Sequence, residues 1–438
     1  MKSLIHICFF CIFFSTYTSA QQNTEPVDYR NFIHYLNQRL SNVILVDGFN
    51  PPQASRVYCY PNIAVFEALR NTDTVNYKSL SGVIKHLNGL PQPVNSAIDF
   101  NLASVIAFQR VAQFFVYRAN LLDDIDNVFI KISQSQKNDS VAIQHSIEYG
   151  NLVAEKIIAW AKNDNFIQLK TFTRYKPLGT DYSWEPTPPA YYDALEPNWR
   201  HMRPMFMDSS SQFKPAPPLK FDTLSGSAFF TEAMEVYNTV KKNDSASNST
   251  AYFWDDNPLR NWVDGHFSYV TKKLSPGGHW INICSIVTKR EKFNALRSAQ
   301  AFALVSIGLF DGFISCWDEK FRSNLIRPET YINKYIDREW SPFLETPPFP
   351  EHTSGHSVIS SSAAEILTSL VGDNYHFTDS TEFVFGFGVR TFNSFREAAN
   401  QAGWSRLYGG IHYSQAISVG LEQGKAIGRN VITKIKHN

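Results

Sequence analysis

The stretch Ala301–Trp317, with the sequence AFALVSIGLFDGFISCW, decides the fold class because it is apolar on nearly every face of a helix. A helix of this kind lies either in the core of a large protein or in a membrane. Asp311 lies in the middle of the stretch, and a carboxylate is costly in the hydrocarbon of a bilayer. The stretch therefore predicts a core helix rather than a membrane span.

Apolar residues recur at helical spacing over much of the chain on both sides of this stretch. Strand patterns are few, so the sequence predicts a mainly α protein. The Pro- and aromatic-rich stretch Tyr175–Pro218 interrupts the helical pattern, and its prolines exclude a long helix. We expect it to be an ordered, packed excursion. The predicted helices cover residues 29–42, 98–121, 124–162 (one long helix or a close pair), 226–242, 290–322, 353 to about 370, and 412 to near the C-terminus.

The first 20 residues have the pattern of a secretory signal peptide. Lys2 precedes an apolar run, Leu4–Phe14, and small or polar residues lead to Ala20. We expect a secreted or periplasmic protein that has no membrane association after the signal is removed; an N-terminal anchor that stays attached is the alternative. The rest divides into a predicted N-terminal helical scaffold, residues 21–225, and a helical catalytic region, residues 226–438, expected to form one compact unit.

The charge balance and the cysteines exclude several classes of protein. The 41 basic and 40 acidic residues nearly cancel, and loss of Lys2 makes the balance even. A neutral surface argues against a nucleic acid partner, so any anion site must be a local cluster of cations. Cys59, Cys284 and Cys316 follow the predicted signal and allow at most one disulfide, and no Cys and His spacing typical of zinc occurs there.

Three segments in the C-terminal third carry residues suited to binding a tetrahedral oxyanion. Lys320 lies two helical turns before Arg327, so we expect both cations on one side of a helix that Pro328 ends. Arg406 adds a planar fork of N–H donors that fits such an anion. The segments are Lys320–Pro328 (KFRSNLIRP), Ser354–His356 (SGH) and Ser405–His412 (SRLYGGIH).

The second and third segments also supply a helix N-terminus and two histidines. Thr353 or Ser354 is expected to cap a helix whose first N–H groups, near Gly355, point at an incoming anion. His412 could be a ligand or a nucleophile, and His356 could act as acid or base opposite it. Each segment alone is commonplace, but their combination predicts a phosphate-like site.

In order and spacing, the three segments resemble the signature of vanadium haloperoxidases and of the type-2 phosphatidic acid phosphatase and acid phosphatase superfamily. That signature is Lys, six residues, Arg-Pro; Ser-Gly-His; and Ser-Arg, five residues, His. In length and helical character the rest of the chain is similar to bacterial vanadium iodoperoxidases. The resemblance implies the helical bundle of this superfamily. It also implies a vanadate cofactor, which phosphate could replace, and oxidation of a halide, iodide first, by hydrogen peroxide to hypohalous acid.

The resemblance further implies a role for each matching residue. His412 would ligate vanadium directly. His356 would serve as acid and base, and Lys320 would polarise the peroxide. The residues that would hold the vanadate oxygens are Lys320, Arg327, Ser354, Gly355, His356 and Arg406.

Two positions depart from the common pattern of the superfamily. Thr353 stands where Pro is usual, and Ala416 stands where many members have an Asp four residues after the last His. Such an Asp would orient the ring, so we expect a backbone carbonyl to orient His412 instead. The alternative function is a secreted acid phosphatase in which His412 is the nucleophile and His356 protonates the leaving oxygen. The missing Asp weakens that alternative, and a protein that only binds oxyanions is a third.

Trp317, Asp318 and Phe349 flank the motifs and are candidates for lining a halide pocket, since an aromatic wall suits a large, polarizable anion such as iodide. Other histidines and cations nearby are expected to be structural or have no assigned role, namely His266, His279, Arg322 and His352.

Overall fold

A computed structural model describes residues 31–94, 97–135, 139–242, 244–258, 260–264 and 266–436. The predicted signal peptide, residues 1–20, lies outside the described residues, so export stays a prediction. The helices are α1 (Ile33–Asp47), α2 (Pro51–Leu69), α3 (Phe100–Phe115), α4 (Asp126–Ser135), α5 (Ser140–Ala161), α6 (Phe166–Leu169), α7 (Ala228–Lys242), α8 (Ser245–Phe253), α9 (Pro276–Arg290), α10 (Ala295–Ser323), α11 (Pro328–Tyr335), α12 (Gly355–Val371), α13 (Phe395–Tyr408) and α14 (Ser414–Lys436).

Two small antiparallel pairs are the strands of the described chain. They are β1 (Arg260–Asp264) with β2 (Phe267–Thr271), and β3 (Phe377–Asp379) with β4 (Arg390–Phe392). The prediction of a mainly α protein is therefore confirmed. The long 124–162 pattern is a close pair of helices, α4 and α5. The helices that were not predicted are α2, α6, α8, α9, α11 and α13.

The apolar stretch forms the central helix, α10, against which α2, α9, α12 and α14 pack. The Asn294 side chain accepts the Arg297 N–H at 2.8 Å and begins the helix, and Asn324 ends it in the left-handed conformation with φ 49°. In the part of the chain that the structure describes, α10 is the one helix long and apolar enough to span a membrane, but 94% of its most apolar window is buried inside the protein. It is the core helix that the sequence predicts.

Asp311, the charged residue of this helix, ties the Pro-rich excursion to the core. Its carboxylate accepts the backbone N–H groups of Met205 at 2.7 Å, Phe206 at 2.9 Å and Met207 at 3.2 Å. Burial raises the pKa of Asp311 to about 6, and these three hydrogen bonds oppose the rise. The carboxylate therefore satisfies buried N–H groups that have no helix or sheet partner.

The excursion also packs against the turn after α10, as an ordered segment would. Trp184 N–H donates to Asn324 O at 2.9 Å, and Ile326 N–H donates to Tyr182 O at 2.8 Å. These bonds hold the residues between α10 and α11 in place, and so fix the position of Arg327.

Helices α12 and α14 approach so closely that side chains are excluded between them. A Cβ at Gly424 would overlap the Val358 carbonyl, and a Cβ at Gly420 would lie 2.9 Å from Ser357 Cβ. Ser354 N–H donates to Ala416 O at 3.1 Å across the same contact. The close packing places the N-terminus of α12 beside the loop before α14.

Replacing Asp311 with Ala should destabilise the protein by at least about 3 kcal/mol, because three buried N–H groups would lose their acceptor. Chemical or thermal unfolding measures the loss. Ser306→Ala is the control, since Ser306 is equally buried in α10, donates to Ala303 O of its own helix and contacts the Cys59 thiol. Equal stability of the two variants would contradict the role given to Asp311.

Candidate active site

The three sequence motifs converge in one buried place. Arg327 Nη1 lies 3.2 Å from His412 Nε2 and donates to Ile411 O at 2.8 Å, while Arg327 Nε donates to Phe349 O at 2.8 Å. The side chains of Lys320, Arg327, Arg406 and His412 are each at most 3% exposed. The site is therefore a cluster of buried cations around a histidine, as the spacing predicts.

The local geometry between Lys320 and Arg327 differs from the prediction. Lys320 belongs to the last turn of α10, but that helix ends at Ser323, before Arg327. Arg327 is the N-cap residue of α11, and Pro328 is its first residue. Proline therefore begins a helix here rather than ending one, which is common because the first helical N–H has no partner in any case.

Lys320 holds the loop before α12 from inside. Its ammonium donates to three carbonyl oxygens, those of Pro350 at 3.0 Å, Glu351 at 3.1 Å and Thr353 at 2.6 Å. Burial lowers the pKa of Lys320 to about 7, and the neighbouring Arg327 adds to the effect. The three N–H groups of the ammonium all donate to the loop. Lys320 therefore acts on a ligand in the pocket through its positive charge and not through a hydrogen bond.

Arg327 and Arg406 each have an N–H group without an acceptor among the described residues. Arg406 Nη1 donates to Trp254 O at 2.7 Å, yet Arg406 Nε and Arg327 Nη2 are buried and find no hydrogen-bond acceptor among the described residues. A buried guanidinium N–H without an acceptor is costly unless a ligand supplies one. Burial lowers the pKa of Arg327 to about 10 and also lowers that of Arg406. An oxyanion fits this donor set in charge and in hydrogen bonding.

His412 is oriented by a carboxylate that the sequence reading missed. His412 Nδ1 lies 2.7 Å from Glu351 Oε1, which also accepts the Tyr413 N–H at 3.0 Å. The expectation that a backbone carbonyl orients His412 is therefore wrong. Glu351 orients the His412 ring, as an Asp at position 416 would, but it does so from the loop before α12. The Ala416 carbonyl accepts the Ser354 N–H at 3.1 Å.

The His412 ring is neutral and presents a lone pair to the pocket. Burial, helped by the charges of Arg327, Lys320 and Arg406, keeps its pKa well below the ordinary value. Because Arg327 Nη1, which can only donate, lies 3.2 Å from Nε2, the proton of the neutral ring is on Nδ1, which donates to Glu351 Oε1. Nε2 then carries the lone pair, which suits a metal ligand or a nucleophile.

The N-terminus of α12 forms the opposite side of the site. Ser354 caps the helix by accepting the Ser357 N–H at 3.3 Å. A Cβ at Gly355 would meet only the Trp317 ring, at 3.9 Å, so space lies beside this glycine. His356 Nε2 is buried without a hydrogen-bond partner, 3.8 Å from Asp256 Oδ2. Burial and the charge of Arg406 hold the pKa of His356 well below its ordinary value.

The candidate halide residues divide into two groups. The Trp317 and Phe349 rings are in contact, with centroids 4.9 Å apart, and Lys320 Nζ lies 4.9 Å from the Phe349 centroid. Asp318 is paired with Arg322 instead, at 3.2 Å. The structure therefore places an aromatic wall beside Lys320 but gives Asp318 an ion-pair partner.

The remaining candidates have local partners. His352 Nε2 lies 2.9 Å from Ala216 O, His266 is exposed, and His279 is fully buried between Asp256 and Asp379. Cys59, Cys284 and Cys316 are buried free thiols.

A helical bundle with a buried cationic pocket and a neutral, carboxylate-oriented histidine defines a class of proteins that bind vanadate or phosphate at that histidine. Residues 300–438 match the family model of the VCPO second helical-bundle domain. The crystal structure of the first bacterial vanadium-dependent iodoperoxidase superimposes with a TM-score of 0.86 and 39% identity, over 92% of this chain and 95% of that one. The chain belongs to the vanadium-dependent haloperoxidases.

More distant structures share the fold. A holo-type bacterial vanadium-dependent chloroperoxidase has a TM-score of 0.69 and 14% identity, over 94% of this chain and 99% of that chain. The apo-type structure of a bacterial vanadium-dependent chloroperoxidase has a TM-score of 0.67 and 14% identity, over 87% and 92%. Among curated proteins none matches significantly.

Replacing Glu351 with Gln should weaken the affinity of the apo protein for orthovanadate by about 10- to 100-fold, because the His412 ring loses the carboxylate that orients it. Ultrafiltration followed by vanadium analysis measures the affinity. Glu67→Gln is the matched control: Glu67 is a buried carboxylate that binds Arg70 and the Leu80 N–H, with no contact to the site. If both variants bind vanadate alike, Glu351 does not orient the ligand.

Proposed function

We propose that this haloperoxidase is a vanadium-dependent iodoperoxidase that converts iodide and hydrogen peroxide to hypoiodous acid. The observation that carries the proposal is the set of buried groups aimed at one pocket, namely Arg327 Nη2, Arg406 Nε and the lone pair of His412 Nε2. Iodide is supported by the similar iodoperoxidase at 39% identity and by the aromatic wall of Trp317 and Phe349.

The pocket residues would hold vanadate in complementary ways. His412 would ligate the metal through Nε2, and the free donors of Arg327 and Arg406 would bind its oxygens together with the N-terminus of α12 at Ser354 and Gly355. Lys320 would contribute charge while its donors stay on the loop carbonyls. When bound, vanadate supplies Lewis-acid activation of the peroxide without changing oxidation state.

His356 is placed to move the protons of the reaction. Its ring is neutral in the protein and Nε2 has no hydrogen-bond partner, so it can accept a proton from incoming hydrogen peroxide. The same ring returns a proton to the oxygen that leaves as water. The sum is one iodide, one hydrogen peroxide and one proton giving hypoiodous acid and water.

The proposal is tested by adding orthovanadate to the purified apo protein and measuring peroxide-dependent oxidation of iodide, bromide and chloride. Iodide oxidation that requires vanadate is the expected result, and His412→Ala should reduce it by at least about 100-fold because the metal loses its ligand. Hydrolysis of a simple phosphomonoester is measured in parallel. Phosphomonoester turnover that vanadate inhibits, without halide oxidation, would overturn the proposal in favour of the acid phosphatase.

Replacing Phe349 with Ala should lower kcat/KM for iodide relative to bromide by about threefold or more, because iodide is the more polarizable ion and gains more from an aromatic wall. Phe343→Ala is the matched control, since that ring packs on Tyr252 with centroids 4.6 Å apart. An unchanged iodide-to-bromide ratio in Phe349→Ala would exclude the wall from halide selection.

A further inference from the structure

Beside His356 Nε2 begins a buried chain of charged side chains to which the mechanism above assigns no role. Asp256 Oδ2 is 3.8 Å from His356 Nε2, and Asp256 Oδ1 is 2.9 Å from His279 Nδ1. The other ring nitrogen of His279, Nε2, is 2.8 Å from Asp379 Oδ2. Asp256, His279 and Asp379 are each at most 2% exposed. The order Asp379, His279, Asp256, His356 therefore leads from β3 to the anion pocket.

His279 is held as a charged ring by its two carboxylates. Burial alone would lower the pKa of His279, but Asp256 and Asp379 raise it well above the ordinary value. His279 in turn lowers the pKa of Asp379 against the effect of burial. Because both ring nitrogens of His279 are bonded to carboxylates, the ring cannot rotate without breaking a hydrogen bond. The bond from His279 Nδ1 in turn fixes the Asp256 side chain.

The indole of Trp254 adds a second restraint that reaches the same pocket. It stacks on His279 with centroids 4.4 Å apart and planes 19° apart. The Trp254 carbonyl accepts a hydrogen bond from Arg406 Nη1 at 2.7 Å and another from the His356 ring. The position of His279 is therefore linked to Arg406 as well as to His356, the two groups that face the bound anion from this side.

A metal ion is a poorer occupant of this cluster. One ligand atom each from Asp256, His279 and Glu382 lies within 4.8 Å of the others. However, both nitrogens of His279 already contact carboxylates, and Lys273 Nζ lies 3.0 Å from Glu382 Oε2. The ammonium and the imidazolium supply the positive charge that a metal would bring.

We propose that His279 is a positioning residue of the active site, which fixes Trp254 and Asp256 so that the Trp254 carbonyl and the Asp256 carboxylate together orient the His356 ring toward the bound oxyanion. The inference rests on the proposed function, since the oxyanion is taken to be vanadate. His279 itself touches neither the anion nor the substrates. It acts through Asp256 and Trp254, and Asp379 acts through His279.

The test measures the affinity of apo variants for orthovanadate, by ultrafiltration and vanadium analysis, beside thermal unfolding. His279→Gln should weaken the affinity by about tenfold, since remote partners of a ligand site affect it on that scale. Asp379→Asn should weaken it in the same direction. His34→Gln is the matched control, because His34 is a buried histidine that bonds to Ser285 and Asn31 and packs on Phe302.

Asp256→Asn separates positioning from simple charge. If Asp256 only adds negative charge near an anion, its removal should tighten vanadate binding; if it orients His356, its removal should weaken binding. The double variant Asp256→Asn with His279→Gln should lose less affinity than the sum of the two single losses, since His279 acts partly through Asp256. Tighter binding by Asp256→Asn, or fully additive losses, would overturn the inference.

The outcomes also distinguish this inference from the proposed function. A wild-type protein that fails to bind vanadate contradicts the function. A wild-type protein that binds vanadate while His279→Gln behaves like His34→Gln contradicts only the positioning role. If His279→Gln does not fold, Asp379→Asn makes the same test, because Asp379 contacts His279 on the side away from Asp256.

Discussion

The structure depends on burying Lys320, Arg327 and Arg406 next to one another. Like charges in a low-dielectric interior repel, and each loses the solvation that water would give. Burial accordingly lowers the pKa of all three side chains. The protein offsets this cost with loop carbonyls and with Asp255, whose Oδ1 lies 3.8 Å from Arg406 Nη2. Burial raises the pKa of Glu351 to about 8, and the charges of Arg327 and Lys320 oppose the rise. A bound oxyanion would offset the remaining cost of burying these cations. The charges that destabilise the fold therefore favour binding of an anion at the site.

Much of the remaining architecture serves to hold those carbonyls and carboxylates in place. The loop before α12 gives Lys320 three acceptors, and Phe349 O accepts Arg327 Nε. Leu195 N–H donates to Pro348 O at 2.9 Å, so the Pro-rich excursion braces the same loop from outside. The excursion is in turn anchored at Asp311 of α10. Hydrogen bonds through the excursion therefore connect the apolar core helix α10 to the loop that lines the anion site.

The sequence was sufficient for α10, the mainly α class and the residues of the three motifs, because those features are local patterns. It failed where proline begins a helix: α2 starts at Pro51 and contains Pro61, and α9 starts at Pro276. It also did not reveal the partners of Glu351 and His279, which lie 61 and 100 residues away along the chain. Pairings of that separation leave no periodicity in the sequence, so only the fold can reveal them.

The carboxylate on His412 also changes how the two candidate chemistries compare. The absence of an Asp at Ala416 had counted against a phospho-histidine enzyme, but Glu351 supplies that orientation, so the His412 ring suits a nucleophile as well as a metal ligand. Retention of the anion is the better discriminator. A phosphatase must release phosphate in every cycle, and binding substrate and product too tightly slows turnover. Buried, uncompensated donors on Arg327 and Arg406 favour tight retention, which benefits a resident vanadate and penalises a product that has to leave.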